Sequence, residues 1–152
     1  MPILAVIDTN VLVSAFINPN GYPAQVVEAA RHGRFRLIMS RPLEDELRQV
    51  ILRPRILKVR NLPPDLAERF AGNIIGLAAR VEIAGNLHLC RDSGDDMVLE
   101  TALNGQATHI VSRDGDIVRS LDLMQQLEVH NIRATTVSHF LREIETGRPP
   151  HP

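Results

Sequence analysis

Acidic side chains occur at points of the sequence where apolar segments end. Asp8 interrupts the apolar run LAVIDTNVL (residues 4–12), and Asp114 comes two residues after the run THIVS (108–112). A carboxylate at such a point can bind a hard cation, activate a water molecule, or cap a turn or a helix. Taken singly, each of these two acids is explained as well by capping as by chemistry.

The helix predicted over residues 95–105 allows a sharper test. At about 100° per residue, Asp95 falls within the apolar arc that Val98 and Leu99 define, whereas Asp96 falls at its edge. Asp96 also follows Ser93 by three residues, the spacing of a capping box, and so has a structural explanation. An isolated carboxylate on a buried face costs several kcal/mol unless a cation or hydrogen-bond donors compensate. Asp95 is therefore a candidate metal ligand.

A third acidic segment, RPLEDELRQVIL (41–52), is predicted to be a helix because its apolar residues, Leu43 and Leu47 among them, fall at helical spacing. Glu44 and Glu46 flank this apolar stripe on opposite sides, and spacing alone does not choose between them. Both are also explained as part of a solvated first turn, where the helix dipole favours acids.

Strand and helix patterns alternate along the chain. Apolar or β-rich runs predict strands at ILAVI (3–7), FRLIMS (35–40), RVEIA (80–84), THIVS (108–112) and EVHNIRAT (128–135). Periodic segments predict helices over 24–33, 41–52, 64–80, 95–105, about 117–121 and 137–145. Strands separated by helices predict an α/β fold with a mainly parallel sheet covered on both faces. Ligands of such folds bind beyond the carboxyl ends of the strands, where Asp8 and Asp114 fall.

The composition is that of one globular domain. The 152 residues are 44% apolar and 23% charged, and no stretch is long and apolar enough to span a membrane. The N-terminus lacks a signal-peptide pattern, and a lone cysteine, Cys90, excludes an internal disulfide. We expect a cytoplasmic protein with one domain over residues 1–146 and a disordered tail over 147–152.

Several carboxylates that converge at strand ends repel one another unless a hard divalent cation is present. Mg²⁺ and Mn²⁺ fit best because both accept oxygen ligands. The six histidines include no pair three to five residues apart, which disfavours a zinc site.

The sequence DTN at residues 8–10, the acidic helix near Glu46, Asp95 and the SRD at 112–114 together resemble the PIN-domain ribonucleases. The resemblance extends from VIDTNVLVSAF through RPLEDELRQVILRPRI to DDMVLETALNGQATHIVSRDGDI. It looks closest to the VapC-like subgroup, described as toxins of toxin–antitoxin systems. The resemblance implies a three-layer α/β/α sandwich with a central sheet of about five strands. It also implies an Mg²⁺- or Mn²⁺-dependent endoribonuclease that hydrolyses phosphodiester bonds.

The resemblance also implies a role for individual residues, and it favours Glu46 over Glu44. The catalytic acids it implies are Asp8, Glu46, Asp95 and Asp114, with the metal bound by Asp8, Asp95 and Asp114. Asp92 and Asp96 remain alternatives to Asp95 as the third acid. Supporting roles fall on Asn10, Ser112 and Asp96. Phosphate contacts are expected from Arg41 and Arg113, and further candidates are Arg53, Arg55, Lys58 and Arg60.

The partners implied are an RNA substrate, an antitoxin protein and a second copy of the chain, and no membrane. Only five residues are aromatic, which disfavours a long base-stacking platform and favours recognition of folded RNA by backbone and shape. Two alternatives stay open. One is a catalytically silent PIN-like module that binds RNA or protein, and the other is a structure-specific DNA nuclease.

Overall fold

The computed structural model describes residues 2–90, 93–113 and 121–146. Within these residues, five strands form one sheet in the order β3-β2-β1-β4-β5, and every neighbouring pair is parallel. The strands are β1 (Leu4–Ile7), β2 (Arg36–Met39), β3 (Ala79–Arg80), β4 (His109–Ser112) and β5 (Arg133–Thr136). This sheet confirms the predicted α/β fold.

Eight helices are present in the described parts of the chain, and with the sheet they form a three-layer α/β/α sandwich. They are α1 (Thr9–Ile17), α2 (Tyr22–Arg31), α3 (Arg41–Ile51), α4 (Pro54–Lys58), α5 (Pro64–Leu77), α6 (Ser93–Asn104), α7 (Leu121–Val129) and α8 (Val137–Thr146). Within these same parts, no helix is both long enough and apolar enough to cross a membrane.

The central strands β1 and β4 are buried because helices cover the sheet on both faces. All four residues of β4 are buried, and so are Ala5, Val6 and Ile7 of β1. Such burial explains why these strands are continuous apolar runs rather than alternating ones. Since all strands are parallel, their carboxyl ends meet at one edge of the sheet, which we call the carboxyl edge.

Helices α1 and α4 were not predicted from the sequence, and α7 was predicted only at its first residue, Leu121. The first, α1, is rich in valine and other apolar residues that favour strands in isolation. It is a helix because six of its nine residues are buried, including Val11, Leu12 and Phe16, and tertiary packing outweighs intrinsic propensity. The second, α4, is a single short turn after Pro54, where the sequence predicted only the end of the preceding helix.

Two predicted strands have wrong boundaries. The segment EVHNIRAT (128–135) was predicted as a strand, but α7 continues to Val129 because Leu123 and Leu127 pack into the core one helical turn apart. Only Arg133–Thr136 pairs with β4. The strand predicted over 80–84 is instead the two-residue strand Ala79–Arg80. The helix predicted near 117–121 lies, except for its last residue, outside the described residues.

A buried polar cluster holds α8 on the sheet. Nε2 of His109, in β4, donates to Oε2 of Glu143 at 2.9 Å, and Nη1 of Arg133 donates to Oε1 of the same carboxylate at 3.1 Å. Burial lowers the pKa of the His109 imidazole, although the nearby Glu143 carboxylate acts in the opposite direction. Phe140, fully buried, packs edge-on against His109. These contacts hold the second half of α8 against the first residues of β4 and β5.

Candidate active site

Asp8 lies at the carboxyl edge, directly after β1 and at the N-cap position of α1. Its backbone N–H donates to the carbonyl oxygen of Val111 at 2.8 Å, so the ends of β1 and β4 are adjacent. Its side chain is half-buried and makes no capping hydrogen bond to α1. The capping interpretation therefore does not account for a carboxylate at this position.

Glu44 and Glu46 have different environments, although both lie on α3. Glu44 is 2% exposed, and its two carboxylate oxygens accept hydrogen bonds from Nε and Nη2 of Arg80 at 2.9 and 2.7 Å. Glu46 is half-buried. The bidentate pair engages Glu44 with a cation of the protein itself, which supports Glu46 as the acid of α3 that serves the site.

Arg80 was not among the residues predicted for the site. It ends β3 at the carboxyl edge, and its side chain is half-exposed. The hydrogen bond with Glu44, and then the charge of Glu44, raise the pKa of its guanidinium above the ordinary value. Arg80 also lines a cleft of about 240 Å³ together with Arg41, Pro42 and Ile83. The carboxyl edge therefore presents a guanidinium, fixed by Glu44, beside the predicted phosphate contact Arg41.

The two acids at the start of α6 differ from the helical-wheel expectation. Asp95 is half-buried, whereas Asp96 is buried. Oδ1 of Asp96 accepts hydrogen bonds from the backbone N–H groups of Leu89 and Cys90 at 3.0 and 2.8 Å. The helical wheel placed Asp96 at the margin of the apolar arc because a wheel considers only residues of the same helix. The segment before α6, which contains Leu89 and Cys90, packs over the Asp96 side chain. Asp96 thus has a structural role, although not that of the predicted capping box.

We expect Asp96→Asn to be less stable than the wild type at neutral pH. Burial favours the neutral carboxyl, but the hydrogen bonds from Cys90 and Leu89 outweigh it and lower the pKa of Asp96. A carboxyl whose pKa is lower in the folded state stabilises the fold above its unfolded pKa, about 3.9. That contribution is lost as the pH falls through the folded pKa.

Thermal unfolding of both proteins between about pH 7 and pH 2 checks this expectation. The difference in melting temperature should narrow below about pH 4. A difference that stays constant over this range would show that the Asp96 charge does not stabilise the fold.

A pair of buried hydroxyls joins α3 to α6. Ser40, the N-cap residue of α3, lies with its Oγ 2.7 Å from Oγ1 of Thr101 in α6. Because Thr101 donates its only hydroxyl proton to the carbonyl of Met97, Ser40 must be the donor of this bond. The hydrogen bond ties the helix that carries Glu46 to the helix that carries Asp95.

The other predicted residues lie as follows. Ser112, which ends β4, is buried, and its hydroxyl donates to the carbonyl of Arg113 at 3.2 Å. Asn10 is exposed, as are both predicted phosphate contacts, Arg41 and Arg113. The further candidates, Arg53, Arg55, Lys58 and Arg60, are exposed as well, and Nη1 of Arg60 donates to the carbonyl of Ile17 at 3.2 Å. Asp92 and Asp114 lie outside the described residues.

Among residues 2–90, 93–113 and 121–146, no three histidine, cysteine, aspartate or glutamate side chains form a group that could hold a metal ion. Asp8, Glu46 and Asp95 therefore do not make a metal site without a further ligand. The predicted fourth acid, Asp114, comes two residues after the end of β4. The donor set is otherwise suited to Mg²⁺ or Mn²⁺, since it consists of carboxylates without sulfur or imidazole.

A parallel sheet covered by helices on both faces, with Asp8 at its carboxyl edge, is an α/β domain of the class that binds its ligands at that edge. The sequence matches the PIN domain family over residues 4–116, which is most of the chain, and the protein belongs to that family. It is also similar to the uncharacterized protein MJ1680 of Methanocaldococcus jannaschii, with 26% identity over 145 residues that cover 94% of this chain and 92% of that protein. PIN domains are generally nucleases, and these typically use divalent metal ions. The family prediction is thus confirmed, and the toxin subgroup stays a prediction.

Proposed function

We propose that this protein is an Mg²⁺- or Mn²⁺-dependent endoribonuclease. The observation that carries the proposal is the position of Asp8 in a PIN-domain fold. It is a half-buried acid at the carboxyl end of the central strand β1, and it does not cap the helix that follows. Ligands of open α/β sheets bind beyond the carboxyl ends of the strands, so a carboxylate at this position can contact a cation or a substrate. Two neighbouring elements, α3 and α6, carry Glu46 and Asp95.

Each residue has a proposed part in the reaction. Asp8, Asp95 and Asp114 would hold the metal, which when bound polarises the phosphate and lowers the pKa of a water molecule. Glu46 would accept the proton from the attacking water, directly or through a second water. Arg41 and Arg113, both exposed at the carboxyl edge, would bind phosphate oxygens of the substrate. Arg80 would do so with the N–H groups that Glu44 does not engage.

The biological setting is a further part of the proposal. The toxin role and its antitoxin partner rest on the resemblance of the sequence to that subgroup. So do the homodimeric state and the cytoplasmic location. Growth arrest on expression, relieved by a small protein encoded beside this one, would support the toxin role. Expression without any effect on growth would contradict it.

Removal of divalent metal is expected to stop cleavage. The measurement is release of fluorescence from a dye- and quencher-labelled single-stranded RNA, with protein dialysed against EDTA and then given Mg²⁺ or Mn²⁺. The rate should fall to background without metal and return when metal is added, since uncompensated carboxylates repel the phosphate.

Asp8→Asn protein purified in the same way is the control for a contaminating ribonuclease. Cleavage that persists in EDTA would contradict metal dependence. Binding of RNA without cleavage under any metal would indicate the silent module. Cleavage of branched DNA but not of RNA would indicate the structure-specific DNA nuclease.

A further inference from the structure

Tyr22 is an exposed aromatic residue in a protein that buries its other rings. It is the only tyrosine, the chain has no tryptophan, and its side chain is 62% exposed at the start of α2. Phe16, Phe35 and Phe140 are buried, and Phe70 is half-buried against Phe16. A single exposed ring is not by itself a binding site, so the residues around Tyr22 decide what the ring can contact.

Tyr22 lines a cleft of about 300 Å³ whose walls differ in chemistry. The other lining residues are Pro23, Arg113, Val137 and Ser138. The tyrosine ring can stack on a nucleobase, the guanidinium can bind a phosphate, and the hydroxyl of Ser138 can bond to a ribose hydroxyl. Pro23 and Val137 supply apolar surface beside the ring. The cleft therefore has one group for each part of a ribonucleotide.

The cleft opens at the carboxyl edge, beside the acidic site. Arg113 follows Ser112, the last residue of β4, and Val137 follows Thr136, the last residue of β5. Ser112 and Thr136 are paired in the sheet. The carbonyl of Val111, two residues before Arg113, accepts the backbone N–H of Asp8 at 2.8 Å. A nucleotide in the cleft would thus be a neighbour of the phosphodiester at Asp8.

We propose that this cleft binds one unpaired nucleotide of the substrate strand, with its base stacked on Tyr22 and its phosphate on Arg113. The inference rests on the proposed ribonuclease function and concerns the position of one nucleotide of that substrate. A base can reach the ring only when it is not stacked in a helix. The small number of aromatic residues disfavours a long stacking platform, and a single stacking position agrees with that number. The proposal does, however, replace the recognition of folded RNA that was expected from the sequence.

The test uses Asp8→Asn protein, so that RNA binds without being cut, and an unstructured RNA of about ten nucleotides, which matches the site size of single-strand binders. Because Tyr22 is the only tyrosine and there is no tryptophan, tyrosine emission reports on this position alone. Binding measured by anisotropy of a dye on the RNA should coincide with quenching of that emission.

Matched variants distinguish the loss of base stacking from a general loss of RNA binding. In the same background, Tyr22→Leu should weaken binding of single-stranded RNA about 5- to 150-fold, the cost of losing one stacked base. Tyr22→Phe keeps the ring and should stay within about twofold. Blunt-ended duplex RNA offers no unpaired base, so the protein with Tyr22 and the Tyr22→Leu variant should bind it equally.

The measurements distinguish an error in the proposed nucleotide site from an error in the proposed ribonuclease function. If wild-type protein cuts RNA while the tyrosine emission is unchanged on binding and Tyr22→Leu binds normally, the nucleotide site at Tyr22 is wrong and the nuclease stands. If wild-type protein neither cuts nor binds RNA, the ribonuclease proposal itself fails. The emission measurement needs no variant at position 22, so it decides the matter even if Tyr22→Leu does not fold.

Discussion

Asp8→Asn is expected to lower the rate of RNA cleavage by about 1,000-fold, which corresponds to about 4 kcal/mol in the activation barrier. The substitution preserves the shape of a side chain that makes no capping hydrogen bond to α1. It removes one negative charge and replaces a ligand oxygen by an amide N–H₂ that cannot bind a cation. The melting temperature should stay close to that of the wild type, because no capping hydrogen bond to α1 is lost.

The measurement is cleavage of labelled RNA under excess Mn²⁺ or Mg²⁺, with circular dichroism to establish folding. Asp45→Asn is the matched control, since Asp45 is an exposed acid of α3 near the same edge. It should cleave within about twofold of the wild type, as expected for a surface charge outside the site. An Asp8→Asn protein as active as the wild type would show that no catalytic metal binds at this position.

The second large effect distinguishes Glu46 from Glu44, because we expect substitution of Glu46 to lower activity and substitution of Glu44 to lower stability. Glu46→Gln should reduce cleavage by about 100-fold or more, the contribution of a general base, without changing stability. Glu44→Gln should leave much of the activity but destabilise the fold by about 1–3 kcal/mol, because a buried acceptor of two hydrogen bonds becomes a mismatched donor. The bidentate contact to Arg80 is the physical reason for this difference.

Chemical denaturation and single-turnover cleavage of the two variants measure stability and chemistry separately. Arg80→Ala provides a useful comparison with Glu44→Gln, because both break the same ion pair. The assignment would be overturned if Glu44→Gln lost cleavage at full stability while Glu46→Gln remained active.

The sequence predicted those features that depend on local pattern. The apolar runs of β1 and β4 predicted buried parallel strands, and the position of Asp8 after one of them predicted its place at the carboxyl edge. The helix α1 was missed because its valines favour a strand in isolation, and only burial against the rest of the fold makes it helical.

Long-range partners could not be predicted from the sequence. Glu44 pairs with Arg80, 36 residues away, and periodicity on α3 contains no information about that contact. The burial of Asp96 has the same origin, since it depends on the segment containing Leu89 and Cys90 rather than on its own helix. The cleft at Tyr22 is likewise a tertiary feature, since its lining residues come from α2, from the residue after β4 and from the start of α8. The sequence pattern thus located the acids, and tertiary contacts show that two of them, Glu44 and Asp96, have structural roles.

The buried hydrogen bond between Ser40 and Thr101 links the start of α3 to α6, although the two helices are far apart in the chain. Moving the two helices apart would leave the buried hydroxyl of Ser40 without its acceptor, at a cost of about 1–3 kcal/mol. The separation between the helices that carry Glu46 and Asp95 is therefore set when the chain folds. Binding of a cation or nucleic acid between these helices therefore requires little free energy to bring Glu46 and Asp95 into position.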